Sequence, residues 1–350
     1  MRKNIGGLTH VHIPVMLMPD DFKAFSKIRV DNHHFNKENM PSHFKVKEYC
    51  PLVFRNLRER FGISETEYIN SLTKSQPVPL DCKERTSSKL YESYDKLLVI
   101  KVLQSEEVEF MHTLLKQYHP YIVEKHGKTL LPQYLGLYRL TVEGNENYLV
   151  VMRNILSNSM RIHCKYDLKG TAVDREASIK EKVKDLPTLK DGDFVQDGFK
   201  IYVGPEKKEK FLNILTSDVE FLSRLHLLEY SVCLGIHDRQ QVEEEEEQEL
   251  ESPEDEEYGD EEGSEDSARV PTPPDSPKII TVLPNGIKNQ LSHPYAIPSC
   301  EDSPRKEVYF LGLIDVLSLH GTRKRTATIG NLQPDQYAKR LVDFISKAML

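Results

Sequence analysis

The sequence predicts a mixed α/β fold of the α+β kind, with antiparallel sheets and flanking helices. Three observations predict it. Runs rich in β-branched and aromatic residues come in close pairs, Leu90 to Tyr94 with Leu97 to Leu103 and Tyr134 to Leu140 with Asn147 to Asn154. Other segments repeat apolar residues at helical spacing, as do Val108, Met111 and Leu115 after Ser105, and the stretches Glu206 to Leu228 and Pro334 to Leu350. The 350 residues suffice for one large domain or two lobes around a substantial core.

Taken in order, His10 to Leu17 reads as an extended segment. Lys45 to Phe61 reads as one helix with a proline near its first turn, and Ile63 to Leu72 as a second, opened by Ser64 with Glu67 as its capping-box partner. After a polar loop, Ser75 to Ser88, the run LLVIKVL sets a lone lysine, Lys101, among apolar strand residues. The following helix presents Glu109 eight residues on, and a strand lysine followed by a helical glutamate suits nucleotide phosphates. A hairpin turns at Glu143-Gly144-Asn145. Lys165 to Ser178 is polar around Gly170, and Leu186 to Gly198 reads as a loop. Glu229 then stands where the long helix gives way to a strand-like run, Tyr230 to Ile236. Asp315 is the single charge in YFLGLIDVL, Tyr309 to Leu317. Carboxylates at the ends of rigid elements are where proton handling and metal holding are placed. Glu229, Asp315 and Lys101 together point to phosphoryl transfer.

The formal net charge of −8 hides two unlike parts. Residues 243–267 hold 16 acidic residues and no Lys or Arg, so the rest of the chain carries +8. A basic body fits a polyanionic partner: an anionic membrane, a phosphorylated substrate or nucleic acid. The acidic run opens a linker, about 241–304, that continues through PTPPDSP and is too poor in apolar residues to repay ordering. Structure is expected to resume at Glu307. A basic loop follows, 319–333, with Arg323, Lys324 and Arg325. No run approaches 18 apolar residues, and Met1 to Thr9 lacks the apolar core of a signal peptide. Five scattered cysteines, never spaced C-x-x-C, predict a reducing compartment without zinc or disulfides.

Seven stretches carry a resemblance: PVMLMPDDFKA (14–24), KEYCPLVFRNLRERFGI (47–63), LLPQYLGLYRLTV (130–142), KYDLKGTAVDREAS (165–178), DVEFL with LEYSVCLGIHD (218–238), KEVYFLGLIDVL (306–317) and PDQYAKR (334–340). In this order the chain resembles the phosphatidylinositol phosphate kinases, most closely their type II group, the phosphatidylinositol 5-phosphate 4-kinases. The resemblance implies a two-lobed, protein-kinase-related fold, with a nucleotide-binding lobe over 1–154 and a catalytic, lipid-binding lobe over 155–350. It implies ATP, Mg²⁺ and a phosphoinositide lipid, at an anionic membrane met peripherally from the cytoplasm, with no nucleic acid. A homodimer or a heterodimer with paralogues is left open. By position, Lys101 is similar to the lysine on the nucleotide phosphates and Asp315 to the metal-holding aspartate. Asp167, Lys169 and Gly170 match the DLKG motif, and Arg153 and Asn154 the hinge-side MRN. Residues 319–333, with Arg323, Lys324 and Arg325, match the activation loop that touches membrane and sets lipid specificity.

Three departures stand out. Glu229 replaces the aspartate of the family's M-D-Y-S-L-L. No glycine occurs between Leu72 and Lys101, where the family's phosphate-covering loop has one. The activation loop is shorter. Two readings follow: a slow lipid kinase acting on the 4-position of phosphatidylinositol 5-phosphate, or a nearly inactive scaffold that binds lipid, nucleotide or active paralogues.

Overall fold

Strand alternation and two long amphipathic helices organise the computed structural model, which describes residues 16–31, 43–80, 89–156, 159–242, 293–317 and 332–350. The first sheet has seven strands: β1 (Phe25–Asp31), β2 (His43–Tyr49), β3 (Val78–Pro79), β4 (Leu90–Glu92), β5 (Leu98–Leu103), β6 (Tyr134–Val142) and β7 (Asn145–Arg153). Their order is β1-β2-β6-β7-β5-β4-β3, with antiparallel neighbours throughout. The hairpin of β6 and β7 turns at Glu143 and Gly144, both at positive φ, the backbone that a two-residue connection requires.

The second sheet is built from β8 (Cys164–Leu168), β9 (Thr188–Lys190), β10 (Ser231–Asp238), β11 (Ala296–Pro298) and β12 (Glu307–Ile314), in the order β11-β12-β10-β8-β9. Only the β8–β9 pair is parallel. Its central strands β10 and β12 are buried along nearly their whole length, which explains their almost uninterrupted apolar sequence. Truncating a fully buried leucine there, such as Leu311, costs about 2–5 kcal/mol.

The helices are α1 (Pro51–Arg60), α2 (Glu65–Thr73), α3 (Ser105–Glu124), α4 (Ile179–Lys182), α5 (Asp191–Gln196), α6 (Pro205–Arg224) and α7 (Pro334–Ala348). Ser64 caps α2 by accepting from the Glu67 amide, as its sequence position suggests. One core runs through both layers, from Phe54, Met111 and Leu137 to Leu222, Leu234, Leu311 and Leu341.

Three sequence expectations are corrected. Lys45 to Tyr49 belongs to β2, and the helix starts at Pro51; the alternation of KVKEY suits a strand next to β6. Residues 186–198 hold β9 and α5 rather than a loop. The short helix forms because Phe194 enters the core and Asp193 accepts from the amides of Lys190 and Ala177. Described structure returns at His293, ahead of Glu307: Tyr295 is fully buried, its hydroxyl donating to the Leu131 carbonyl, and β11 pairs with β12. Residues 243–292 of the expected linker lie outside the described residues, as do His10 to Val15.

Candidate active site at one edge of the second sheet

Register brings three sequence-distant segments together. Ser231 pairs with Ile314, and Val232 pairs with Leu168. The ends of β8 and β12 and the start of β10 therefore lie side by side on one sheet edge. Lys169 and Gly170 leave β8 there, Glu229 and Tyr230 enter β10, and Asp315 follows β12. Both carboxylate residues are left-handed, Glu229 at φ 70 and Asp315 at φ 62. Glu229 is buried and Asp315 exposed.

The final helix holds this edge in place. The Tyr337 hydroxyl of α7 donates to the Tyr230 carbonyl, and an Arg340 guanidinium nitrogen donates to the Lys169 carbonyl at 3.2 Å. Gly170 makes the approach possible. Its φ is 79, and a Cβ there would stand 2.9 Å from Leu341 Cα and 3.0 Å from the Arg340 carbonyl oxygen.

The DLKG turn is wired by charges that the sequence reading did not single out. The wholly buried carboxylate of Asp191 accepts from the amides of Lys169 (2.9 Å), Gly170 (2.7 Å) and Thr171 (3.2 Å) and from Arg175 Nε (2.9 Å). Arg175 also faces Asp167 at 3.2 Å, and Lys190 stands 3.6 Å from the other Asp167 oxygen. Burial pushes the Asp167 carboxyl upward, but Arg175, Lys190 and the Ser231 hydroxyl outweigh it and hold it below the usual carboxylate range. Asp191 and Arg175 carry a faint sequence signal at most: acid and base in a polar, glycine-bearing stretch, which is more often solvated surface.

The first sheet supplies the cation. Lys101 Nζ lies 3.3 Å from Glu107 Oε1, and Glu107 Oε2 accepts from the Gln104 amide at 2.8 Å in a capping box. The helical partner of Lys101 is thus Glu107, not the exposed Glu109. Six residues rather than eight bring the carboxylate to the lysine, because α3 opens at Ser105 and Glu107, in its first turn, folds back on the Gln104 amide. The fully buried Tyr134 hydroxyl is raised by burial first, then by Tyr295 and by the negative charges of Asp315 and Glu107. The Cys233 thiol is pushed up to about 12 by burial, with Asp167 and Asp315 adding to the effect against Lys165.

Arg153 and Asn154 are engaged as ties. Arg153 donates to the Phe61 carbonyl at 2.7 Å. Asn154 donates to Glu92 Oε1 at 2.8 Å and the Lys96 carbonyl at 3.0 Å, pinning the end of β7 to the β4–β5 hairpin. Arg323, Lys324, Arg325 and the segment 81–88, with Ser87 and Ser88, lie outside the described residues. An apolar cavity of ≈430 Å³, lined by Ile100, Val102, Tyr138 and Leu149 among others, sits elsewhere. Ile100 and Val102 alternate with Lys101, so that cavity opens on the opposite face of the sheet.

The donors at the sheet edge suit Mg²⁺. They are hard carboxylate oxygens, and among the described residues no group of three or more His, Cys, Asp or Glu forms an all-protein cage. Mg²⁺ is commonly held by one or two carboxylates together with substrate phosphates, so a sparse set fits it. No described helix is long and apolar enough to cross a membrane.

Residues 73–348 match the family described as Phosphatidylinositol-4-phosphate 5-Kinase. Phosphatidylinositol 5-phosphate 4-kinase type-2 alpha of Rattus norvegicus is 53% identical over 359 aligned positions, covering 98% of this chain and 87% of that protein. The Homo sapiens type-2 alpha protein is 52% identical over the same shares. The Homo sapiens type-2 beta protein is 50% identical, covering 99% of this chain and 87% of its own length. The chain belongs to the phosphatidylinositol phosphate kinase family, and type-2 phosphatidylinositol 5-phosphate 4-kinases are among its relatives.

Proposed function

We propose that the chain transfers the γ-phosphoryl group of ATP to the 4-hydroxyl of phosphatidylinositol 5-phosphate, giving ADP and phosphatidylinositol 4,5-bisphosphate, at a low rate. The observation that carries this reading is the meeting of the β8, β10 and β12 ends on one edge, with the Lys101–Glu107 pair supplied by the first sheet. Residues 1–154 form the nucleotide-binding lobe and 155–350 the catalytic and lipid-binding lobe.

Phosphoryl transfer asks the protein mainly for positioning and charge neutralisation. Lys101, aimed by Glu107, contacts the nucleotide phosphates. Asp315 holds Mg²⁺, which when bound neutralises negative charge on the phosphates. Glu229 orients the inositol 4-hydroxyl and takes its proton as the oxygen attacks phosphorus. Lys169 adds positive charge beside the transferred group. Arg323, Lys324 and Arg325 each add about 1 kcal/mol of attraction to an anionic leaflet, so membrane association is peripheral. A nearly inactive scaffold is the second reading, favoured by the buried glutamate at 229 in place of the family's aspartate.

Radiolabelled ATP with short-chain phosphatidylinositol 5-phosphate or 4-phosphate tests the reading. Turnover of the 5-phosphate that Asp315→Ala abolishes is expected. Turnover equal to that of Asp315→Ala refutes catalysis, and Mg²⁺-dependent nucleotide binding without turnover establishes the scaffold. Preference for the 4-phosphate refutes the assigned hydroxyl.

A further inference from the structure

Asp218 is wholly buried on α6, on the helix face that also carries Leu215, Val219 and Leu222. A carboxylate in that setting is costly unless its lone pairs are occupied. Here they are. Asp218 accepts from the Tyr121 hydroxyl (2.7 Å), the Thr129 hydroxyl (2.9 Å) and the Leu130 amide (2.6 Å). Thr129 Oγ1 in turn accepts from the Leu131 amide at 3.0 Å.

The donors belong to two different arms of the candidate site. Tyr121 lies on α3, the helix whose first turn carries Glu107, the partner of Lys101. The Leu130 carbonyl accepts from the Leu313 amide at 2.7 Å, and Leu313 stands two residues before Asp315 on β12. The same short segment takes two further ties: Tyr118 of α3 donates to the Pro132 carbonyl and Tyr295 to the Leu131 carbonyl, each at 2.8 Å. The Asp218 carboxylate, beside the direct Tyr118–Pro132 tie, thus links the helix behind the phosphate-binding lysine to the strand that ends in the metal-holding aspartate. The spacing between those two groups is what a triphosphate with its cation must match.

We infer that Asp218 is a positioning residue that sets the distance between the Lys101–Glu107 pair and Asp315, through Tyr121 on one side and Leu130 on the other. The inference rests on the roles proposed above for Lys101 and Asp315. It adds that nucleotide and metal affinities are tuned from a buried site that touches neither ligand. Burial raises the Asp218 carboxyl to about 6, against the hydrogen bonds from Tyr121, Leu130 and Thr129 that favour its ionised form. An amide in its place presents an N–H group to one of those donors.

Binding of a fluorescent ATP analogue to the full chain, with and without Mg²⁺, is the test, because it needs no turnover. Asp218→Asn is expected to weaken the Mg²⁺-dependent gain in affinity by about 10- to 100-fold, the scale of loss when the structure supporting a metal site is disturbed. Binding to vesicles containing phosphatidylinositol 5-phosphate is expected to stay unchanged. Tyr121→Phe cuts the Tyr121–Asp218 tie and leaves Tyr118 on Pro132, and is expected to weaken the Mg²⁺ gain in the same direction by a smaller factor. A folded Asp218→Asn protein with unaltered binding in both conditions overturns the inference. Should Asp218→Asn fail to fold, Tyr121→Phe decides, and an unaltered Mg²⁺ gain overturns it. Asp315→Ala separates this inference from the parent reading. If that variant keeps the Mg²⁺ gain, the assignment of Asp315 fails. If it loses the gain while Asp218→Asn does not, only the positioning role falls.

Discussion

Replacing Glu229 by aspartate should make this protein a faster enzyme. The backbone at 229 has little freedom to compensate for side-chain length. Ser231 is registered opposite Ile314, and the Tyr230 carbonyl accepts from the Tyr337 hydroxyl. The carboxylate of glutamate therefore lies one carbon–carbon bond, about 1.5 Å, farther from that fixed backbone than an aspartate's would. A misplacement of about 1 Å at a reacting group costs on the order of a hundredfold in rate. Glu229→Asp is accordingly expected to raise kcat by about 10- to 100-fold with the lipid KM unchanged, since the proposed role is on the attacking hydroxyl rather than on ground-state binding. Aspartate is also the better residue at a φ of 70, so no backbone penalty opposes the change. Loss of one buried methylene costs about 0.8 kcal/mol, which urea denaturation will register as a small shift in midpoint. Steady-state kinetics on short-chain phosphatidylinositol 5-phosphate checks the rate. An equal or lower kcat in a folded variant, alongside an inactive Asp315→Ala control, would refute the displacement argument.

Other perturbations follow from the same contacts. Gly170→Ala places a Cβ 2.9 Å from Leu341 Cα at a φ of 79. The left-handed backbone alone costs about 1–2 kcal/mol, so chemical denaturation should show at least that loss, and a neutral result would mean α7 moves aside freely. Glu107→Gln should raise half-saturating ATP by about tenfold, the worth of a hydrogen bond to a charged group, while Glu109→Gln should not; the reverse pattern would disqualify Glu107 as the partner of Lys101. Glu48 is raised from 4.5 to about 7, by burial first and against the Arg58 charge. Its folded form binds a proton that the unfolded chain has already released. Its ionisation therefore removes stability as pH rises from 4.5 to 7, with no further loss above. Glu48→Gln should abolish this component, up to about 3 kcal/mol, in wild-type minus variant stability across that window. The opposite slope from His119, lowered to about 4 by burial and Arg60, is common to both proteins and cancels. A flat difference between pH 4.5 and 7 would show that Glu48 is not buried as described.

What the sequence made legible follows from how locally each feature is encoded. The hairpin at Glu143-Gly144, the cap at Ser64 and the helices from Ser105 and Pro334 are written in adjacent residues, and they stand where expected. Asp315 and Glu229 were legible as lone acids at the ends of apolar runs, but their adjacency was not, because it is set by the Ser231–Ile314 register between strands some eighty residues apart. Glu107 was passed over for Glu109 because periodicity gives a helix face without fixing which turn overhangs a strand. α5 stayed hidden because DGDFVQ has the composition of a loop. Its helix depends on Phe194 reaching the core and on caps from Asp193. Tyr295 was swept into the linker because one aromatic among prolines and serines does not outweigh a polar window, yet tertiary burial decides its place.

Backbone strain argues for the location of the site independently of family likeness. Eight described non-glycine residues have positive φ. Six of them have local explanations or stand in turns: Cys50 and His226 flank helices, His126 follows α3, Lys96 and Glu143 sit in hairpin turns, and Asp174 lies in the polar segment before α4. The remaining two are Glu229 and Asp315, which leave the same strand pair at the same edge. A left-handed residue other than glycine costs on the order of 1–3 kcal/mol, and such a conformation persists only where the surroundings over-determine it. Here they do: β10 and β12 are buried on both faces, and Tyr337 fixes Tyr230 from α7. The effect is to turn two acidic residues out of the plane of a buried sheet at the one edge that also receives Lys169. A fold with no chemistry to perform there would gain stability by relaxing both, for instance with glycine or asparagine at either place. That an acid stands at both places instead marks this edge as the candidate site on backbone grounds alone.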